Sequence, residues 1–332
     1  MTGPSKSGVN RTTRFGVLGL MRKIILFSLL LLPLPAAAEC PAPGERAEDC
    51  PWAGAARAMA AAADKGGSLE AVLSSQVPGI LRQLEADRSV PGLLRLWGRS
   101  INYDELAKGQ IVHPAILDLL AGRLGAPRPS GRIVHAGFEH TYGYLFSLLP
   151  TKFGFKRARW VRPDIEDGLG LPRGAAGPAP ARGTLLANVT CLAGGIALRD
   201  DAAAAALLAG VSPACSPETR AFVGRSVPGT RLTETVQLPG GRTVALRTDF
   251  VPFRSSSGGN THLLVYSVLD TAAGPAYLVS AFPVDPGFVQ NALNPAGLGP
   301  KKPVQTRYNA HVEGLTGAGR FTGVREVSRQ DR

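Results

Sequence analysis

The densest group of chemically capable side chains in the chain is His135-Ala136-Gly137-Phe138-Glu139-His140-Thr141-Tyr142-Gly143-Tyr144. Two imidazoles and a carboxylate this close are the material of a metal site or of a general acid and base. The metalloprotease spacings are HExxH and HxxEH. Here the order is HxxxEH, which sets His135 and His140 on different faces of a helix. No metal and no other cofactor is therefore expected. The competing structural reading is a strand-to-helix turn with hydrogen-bonded rings.

Three further features carry chemistry. Val304–Glu313 alternates in the period of a strand, so Gln305, Arg307, Asn309, His311 and Glu313 share one face, about 6.8 Å apart. Such a row suits the floor of a polar active site, or equally a solvated sheet face. His262 follows Gly258-Gly259-Asn260-Thr261, a lead that admits close backbone approach or simply turns the chain. Lys156-Arg157-Ala158-Arg159-Trp160 is basic, with Phe153, Phe155 and Trp160 interleaved, a pattern that grips phosphate or acidic glycan. Asp164, Glu166 and Asp167 lie close enough in sequence to neutralise it. Nucleotide-binding glycine motifs are absent, and Ser226 misses the GxSxG elbow because Pro228 stands where glycine belongs.

Leu278-Val279-Ser280-Ala281-Phe282-Pro283 resembles the last strand of bacterial EndoU-type toxin ribonucleases, where Ser or Thr precedes an aromatic-Pro pair. The resemblance covers six residues and implies histidines and a basic residue working on an antiparallel sheet. The family's catalytic lysine and histidine pair have no assigned counterpart here.

What would position these residues begins with an address. Met21-Arg22-Lys23, the apolar stretch Ile24–Leu32 and Ala36-Ala37-Ala38 form the n-region, h-region and cleavage site of a signal peptide. Residues 1–20 then read as an extension upstream of the true start at Met21. Glu39 before Cys40 argues against lipid attachment. Cleavage after Ala38 removes five basic and no acidic groups, leaving 32 basic against 25 acidic, a net +7 rather than +12. That excess fits an anionic partner. Export to the periplasm or medium exposes Cys40, Cys50, Cys191 and Cys215 to oxidation, and the two sequence-local pairs Cys40–Cys50 and Cys191–Cys215 are expected among three connectivities.

Hydrophobic residues at 44% and charged residues at 19% exclude disorder and coiled coil. The order of elements reads as α+β. Residues 1–38 are the leader with its extension, and 39–167 are mainly helical. The Gly/Pro/Ala stretch 168–183 is a linker or long loop, and 184–332 is β-rich with an antiparallel sheet. Helices are expected at Ala55–Ala63, from Ser68 to Arg88 despite Pro78, after His113, over Glu139–Leu149 and over Ala202–Ala209. Strands are expected at Gly131–Ala136, Thr184–Cys191, Arg231–Leu238, Arg242–Phe253, His262–Leu269, Ala276–Phe282 and Val304–Glu313. The function so read is an exported, disulfide-bonded protein, without a membrane span after processing, that binds an anionic polymer through Phe155, Lys156, Arg157, Arg159 and Trp160. Nucleic acid, an acidic glycan or an envelope surface are the partners that chemistry admits. The alternative is a secreted, metal-independent hydrolase, of which a ribonuclease-like enzyme is one form. Acid and base would come from His135, His140, His262 and His311, with Arg307 steadying phosphorane charge. Mass spectrometry of the exported protein should place the N-terminus at Glu39; a retained 21–38 segment or a diacylglyceryl group on Cys40 would overturn that.

Overall fold

A computed structural model describes residues 45–178, 183–226, 229–238, 241–255, 260–269, 274–294, 304–312 and 320–329. The leader, Cys40, Glu313, the glycines at 258 and 259 and the hairpin tip Pro239-Gly240 lie outside the described residues. Helices dominate the first part and antiparallel sheets the second, the expected α+β class.

Helix α1 (Cys50–Asp64) buries Trp52, Ala55, Ala56 and Met59 on one side. Ser68 caps α2 (Leu69–Gln76) by accepting from the Ala71 amide at 3.2 Å. The single helix expected through Pro78 is in fact two. Val77 leaves helical geometry at φ −139°, ψ 56°, and α3 (Pro78–Arg88) starts afresh with proline at its first position. Proline has no N–H to give the preceding turn and pushes the residue before it out of the α region. His113 caps α4 (Pro114–Leu124), its Nδ1 accepting from the Ala115 amide at 3.2 Å. The expected helix over 139–149 is shorter and wider. Residues of α5 (Ala136–Phe138) run straight into a π-turn, Glu139–Gly143.

After α6 (Pro163–Leu169) the chain between 170 and 178 is irregular, yet it is anchored rather than loose. The Glu166 carboxylate accepts from the Gly174 and Ala176 amides at 2.8 and 2.9 Å. Gln83 Nε2 and Trp52 Nε1 donate to the Ala175 and Ala176 carbonyls. Thr184–Cys191, expected as a strand, opens a helix instead: α7 (Leu185–Ala197) is buried along its whole length. Periodicity cannot separate a buried strand from a buried helix, and here the small residues continue to Ala197, well past strand length. Asp201 caps α8 (Ala202–Val211) at the Ala204 amide, and the helix runs through Gly210 to Val211. Ser216 caps α9 (Pro217–Arg225). Cys191 on α7 is joined to Cys215, just before α9, as expected. Cys50 is also disulfide-bonded; its expected partner Cys40 is not among the described residues.

Strands β1 (Arg99–Ile101), β2 (Ile133–His135) and β7 (Ala310–His311) make a three-stranded antiparallel sheet in the order β2-β1-β7. Strands β3 (Thr230–Gln237), β4 (Thr243–Arg254), β5 (Asn260–Leu269), β6 (Tyr277–Val284) and β8 (Arg320–Arg329) make the larger one, ordered β6-β5-β4-β3-β8. The β3–β4 hairpin and the central place of β5 are as expected. Over its described residues, 304–312, the expected strand Val304–Glu313 does not form as one strand. Residues Val304–Asn309 form a kinked turn, with Tyr308 and Asn309 at φ 54° and 62°, and only Ala310–His311 pair in a sheet. Positive φ reverses the chain, so Arg307, Asn309 and His311 do not line up along one strand face. Helix α10 (Pro286–Leu293), capped by Asp285, closes β6, and α7 packs against β4, β5 and β6.

A carboxyl buried in this core makes stability depend on pH. Asp87 accepts from Thr184 Oγ1 at 2.6 Å and from the Tyr142 hydroxyl, and burial pushes its pKa from 3.8 up to about 7. The folded value lies above the unfolded one, so this stabilisation is full below about pH 4 and is lost as pH rises through 7. Urea melts of wild type and Asp87→Asn should diverge accordingly. The variant should gain on wild type, by on the order of a few kcal/mol, between pH 4 and pH 8. A constant difference across that range would show that the carboxyl is not held protonated.

Candidate functional site

The middle of the basic-aromatic run, Lys156 to Trp160, is packed inward, while Phe153 and Arg162 at its ends stand exposed. Arg157 is fully buried, pairs with Glu45 at 2.8 Å, donates to the Ser147 carbonyl and lies 4.3 Å over the Phe155 ring. Trp160 is buried and donates to the His140 carbonyl at 2.6 Å. Arg159 donates to the Pro283 carbonyl and stacks on Phe282 at 4.1 Å. Lys156, nearly buried, sits 4.0 Å from Asp104 and 5.9 Å from the Tyr144 ring centroid. The expectation of a surface grip is corrected: these cations meet internal carbonyls, carboxylates and rings, and Phe153 is the ring of the run that stands exposed.

Two groups of side chains do converge. The first is a buried chain beneath β6. Glu139 and His140, on the π-turn, are both fully buried. Ser100, on β1, donates to Glu139 Oε2, which lies 3.8 Å from His140 Nε2. His140 Nδ1 is 3.2 Å from Ser280 Oγ on β6, and that hydroxyl donates to the Tyr308 carbonyl at 2.7 Å. Glu139 Oε1 and His140 Nε2 have no hydrogen-bond partner among the described residues. Burial pushes the Glu139 carboxyl up to about 7, against the Ser100 hydroxyl and Lys156. Burial, then the fields of Lys156 and Arg159, push His140 down to about 3. Burial and Arg159 likewise bring Lys156 down to about 8. His140 is therefore neutral at pH 7, and its contact with Glu139 is not an ion pair. Clusters of this kind, with ionisable groups displaced by burial and by each other, concentrate at functional sites.

The second group lies outside the small sheet. Arg99 pairs directly with His135 on one side and His311 on the other. Paired residues share a face, so His135, Arg99 and His311 form one row, the histidine backbones about 9.6 Å apart. A groove of about 1010 Å³ opens along this row, lined by Arg95, Arg99, Arg128, Arg242, His135 and His311, with no aspartate or glutamate in its lining among the described residues. His135 is held as structure. Its Nε2 donates to the Leu94 carbonyl at 3.0 Å, its ring stacks on Phe138 at 5.7 Å, and burial lowers its pKa.

His262 and Arg307 join neither group. His262 pairs with Val284 and Pro252, four residues along β5 from the position opposite Ser280, or about 13 Å away along the strand. Burial lowers its pKa. Arg307 makes a buried ion pair with Glu234 on β3, which takes it out of the polar floor expected of it. Ser280 and Arg99 escaped sequence reasoning as site residues. Ser280 drew notice only through the Phe282-Pro283 resemblance, and nothing local marks an arginine whose neighbours are supplied by strand pairing. Among the described residues no three His, Cys, Asp or Glu side chains are placed to hold a metal ion, and no helix is long and apolar enough to cross a membrane. No protein-family model, no curated protein and no solved structure matches the chain.

Proposed function

We propose that the protein is exported and binds an anionic polymer in the groove beside β1. One observation carries this reading: among the described residues, the groove is lined by four arginines and two histidines and by no carboxylate, with Arg95 and Arg128 at its open side. Arginine presents a planar fork of donors that suits phosphate, sulfate and carboxylate oxygens. A local field of one sign also raises the concentration of an opposite charge at the surface. The net +7 of the processed chain acts in the same direction. The leader and the Cys191–Cys215 bridge support an oxidising compartment outside the cytoplasm.

Titration of the processed protein with heparin and with single-stranded oligonucleotide, over a range of salt, tests the reading. Arg95→Ala with Arg128→Ala should weaken binding at low salt. For the oligonucleotide, each lost phosphate contact should reduce the log–log salt slope by about 0.7. Lys156→Ala should leave the slope unchanged, because that cation faces the interior. Binding that ignores the double substitution, or no salt-dependent binding to either polymer, would overturn the proposal.

A further inference from the structure

Three departures from regular backbone meet at one point. Strand β6 carries an extra residue, Val279, where its pairing with β5 skips from Tyr266–Ser280 to Ser267–Leu278. The π-turn Glu139–Gly143 interrupts a helix, and Tyr308 and Asn309 take left-handed conformations without being glycine. Bulges beside strands re-aim side chains, and π-turns and left-handed residues persist where the surroundings demand them, often at functional sites. Here the bulge flanks Ser280, the π-turn presents Glu139 and His140, and the left-handed pair presents the Tyr308 carbonyl.

The hydrogen-bond directions define the state of that point. A carbonyl only accepts, so the Ser280 proton goes to Tyr308, and His140 Nδ1–H is shared between Ser280 Oγ and the Val279 carbonyl. His140 Nε2 then turns its lone pair toward the Glu139 carboxyl. Serine, imidazole and carboxyl stand in the order of a nucleophile, its base and the group that orients the base, but with every proton one place away from the reactive arrangement.

We propose that Ser280, His140 and Glu139 form a latent site that cleaves carboxylic esters with an apolar acyl or aryl group, held off by the Tyr308 carbonyl. It does not rest on the groove. When Tyr308 withdraws, the Ser280 hydroxyl is released to His140 Nδ1, and the imidazole proton moves to Nε2 opposite an ionised Glu139. Ser280 Oγ then bonds to the ester carbonyl carbon while its proton passes to His140. The C–O bond to the alcohol breaks, and that proton leaves with the departing alkoxide. Water, deprotonated by the same imidazole, adds to the acyl-serine, releases the acid and returns the proton to Ser280. The substrate class follows from the cap. The Tyr308 ring lies 5.1 Å from Tyr266, 6.3 Å from Phe282 and 6.1 Å from Phe288, so its withdrawal leaves a place walled by rings.

The test is labelling of the processed protein with a fluorophosphonate probe, peptide mapping of the adduct, and hydrolysis of p-nitrophenyl butyrate. The adduct should fall on Ser280. Asn309→Ala should speed labelling several-fold, because alanine disfavours the left-handed conformation and loses the bonds from Asn309 Nδ2 to the Ile101 and Tyr103 carbonyls. His140→Ala should slow it by about 100-fold or more. Glu139 acts as a positioning residue. Glu139→Gln should abolish a rise in rate through pH 7 while Ser100, Tyr144, Asp104, Lys156 and Arg159 around it stay as they are. Where His140→Ala fails to fold, Ser280→Cys in the Asn309→Ala background substitutes: its thiol should react with iodoacetamide faster than free cysteine at the same pH. Absence of a Ser280 adduct in both wild type and Asn309→Ala, labelling indifferent to His140, a pH profile unmoved by Glu139→Gln, or an unactivated thiol in the Ser280→Cys variant would each overturn the proposal.

Discussion

Both groups of converging side chains depend on the approach of Gly98 to β6. The Gly98 amide donates to the Leu278 carbonyl at 2.7 Å, and its own carbonyl accepts from the Ala136 amide at 2.9 Å. A Cβ at this position would meet the Tyr277 ring at 2.6 Å, so only glycine lets the two sheets come together here. Ser280 lies two residues beyond Leu278 and His140 four beyond Ala136. The same peptide unit thus sets the distance between hydroxyl and imidazole. Its neighbour Trp97 locks the joint to α7 by donating to Thr190 Oγ1 at 2.8 Å, and Gly137 leaves the room that the Trp97 ring needs.

That joint lets an unusual quantity of polarity be enclosed. Arg157, Glu139, His140, Asp249 and Glu234 are all buried. Most of these groups are paired in ways that offset desolvation: Arg157 with Glu45, Asp249 with Arg231 at 2.7 Å, Glu234 with Arg307. Breaking such a pair costs more than the pair itself contributes, because the remaining charge is left without water. Glu139 and His140 follow a different rule. Their displaced titration makes His140 neutral at pH 7 and leaves Glu139 only about half ionised there, which lowers the cost of burial; two of their polar atoms have no partner among the described residues. Asp87 uses the same device among Thr184, Tyr142 and the first turn of α7.

Local signals in the sequence carried over faithfully. Ser68 and Asp201 cap their helices, a helix begins after His113, and the β3–β4 hairpin and the β5 and β6 strands lie close to their expected bounds. These features depend on a few neighbouring residues, so spacing alone reveals them. Errors arose where distant partners decide. Thr184–Cys191 is apolar enough for either a strand or a helix, and only the full length of α7 separates the two. Alternation in 304–313 predicts a strand that Tyr308 and Asn309 break by turning left-handed against β1 and β6. The charge run 156–159 reads as a grip for anions until Glu45, Asp104 and the carbonyls of Ser147 and Pro283 are brought to it. The His135–His140 segment was visible as chemistry, whereas Ser280, Arg99 and the groove arise only from pairing between strands.

Strand β1 shows how little chain suffices to divide two environments. Successive residues of a strand point to opposite faces. Arg99 accordingly stands exposed in the groove between His135 and His311, while the next residue, Ser100, is fully buried with its hydroxyl on Glu139. A register slip of one position would put the guanidinium against the Glu139 carboxyl and the hydroxyl in the groove. The first change would hold Glu139 ionised, and the second would remove the central cation from the histidine row. Gly98 fixes that register through its two backbone hydrogen bonds, and the Asn309 side chain adds a tie from the far side at the Ile101 carbonyl. A three-residue strand has too few ladder bonds to hold its own register, so the acidity of the buried chain and the charge of the groove are both set by the residues that flank it.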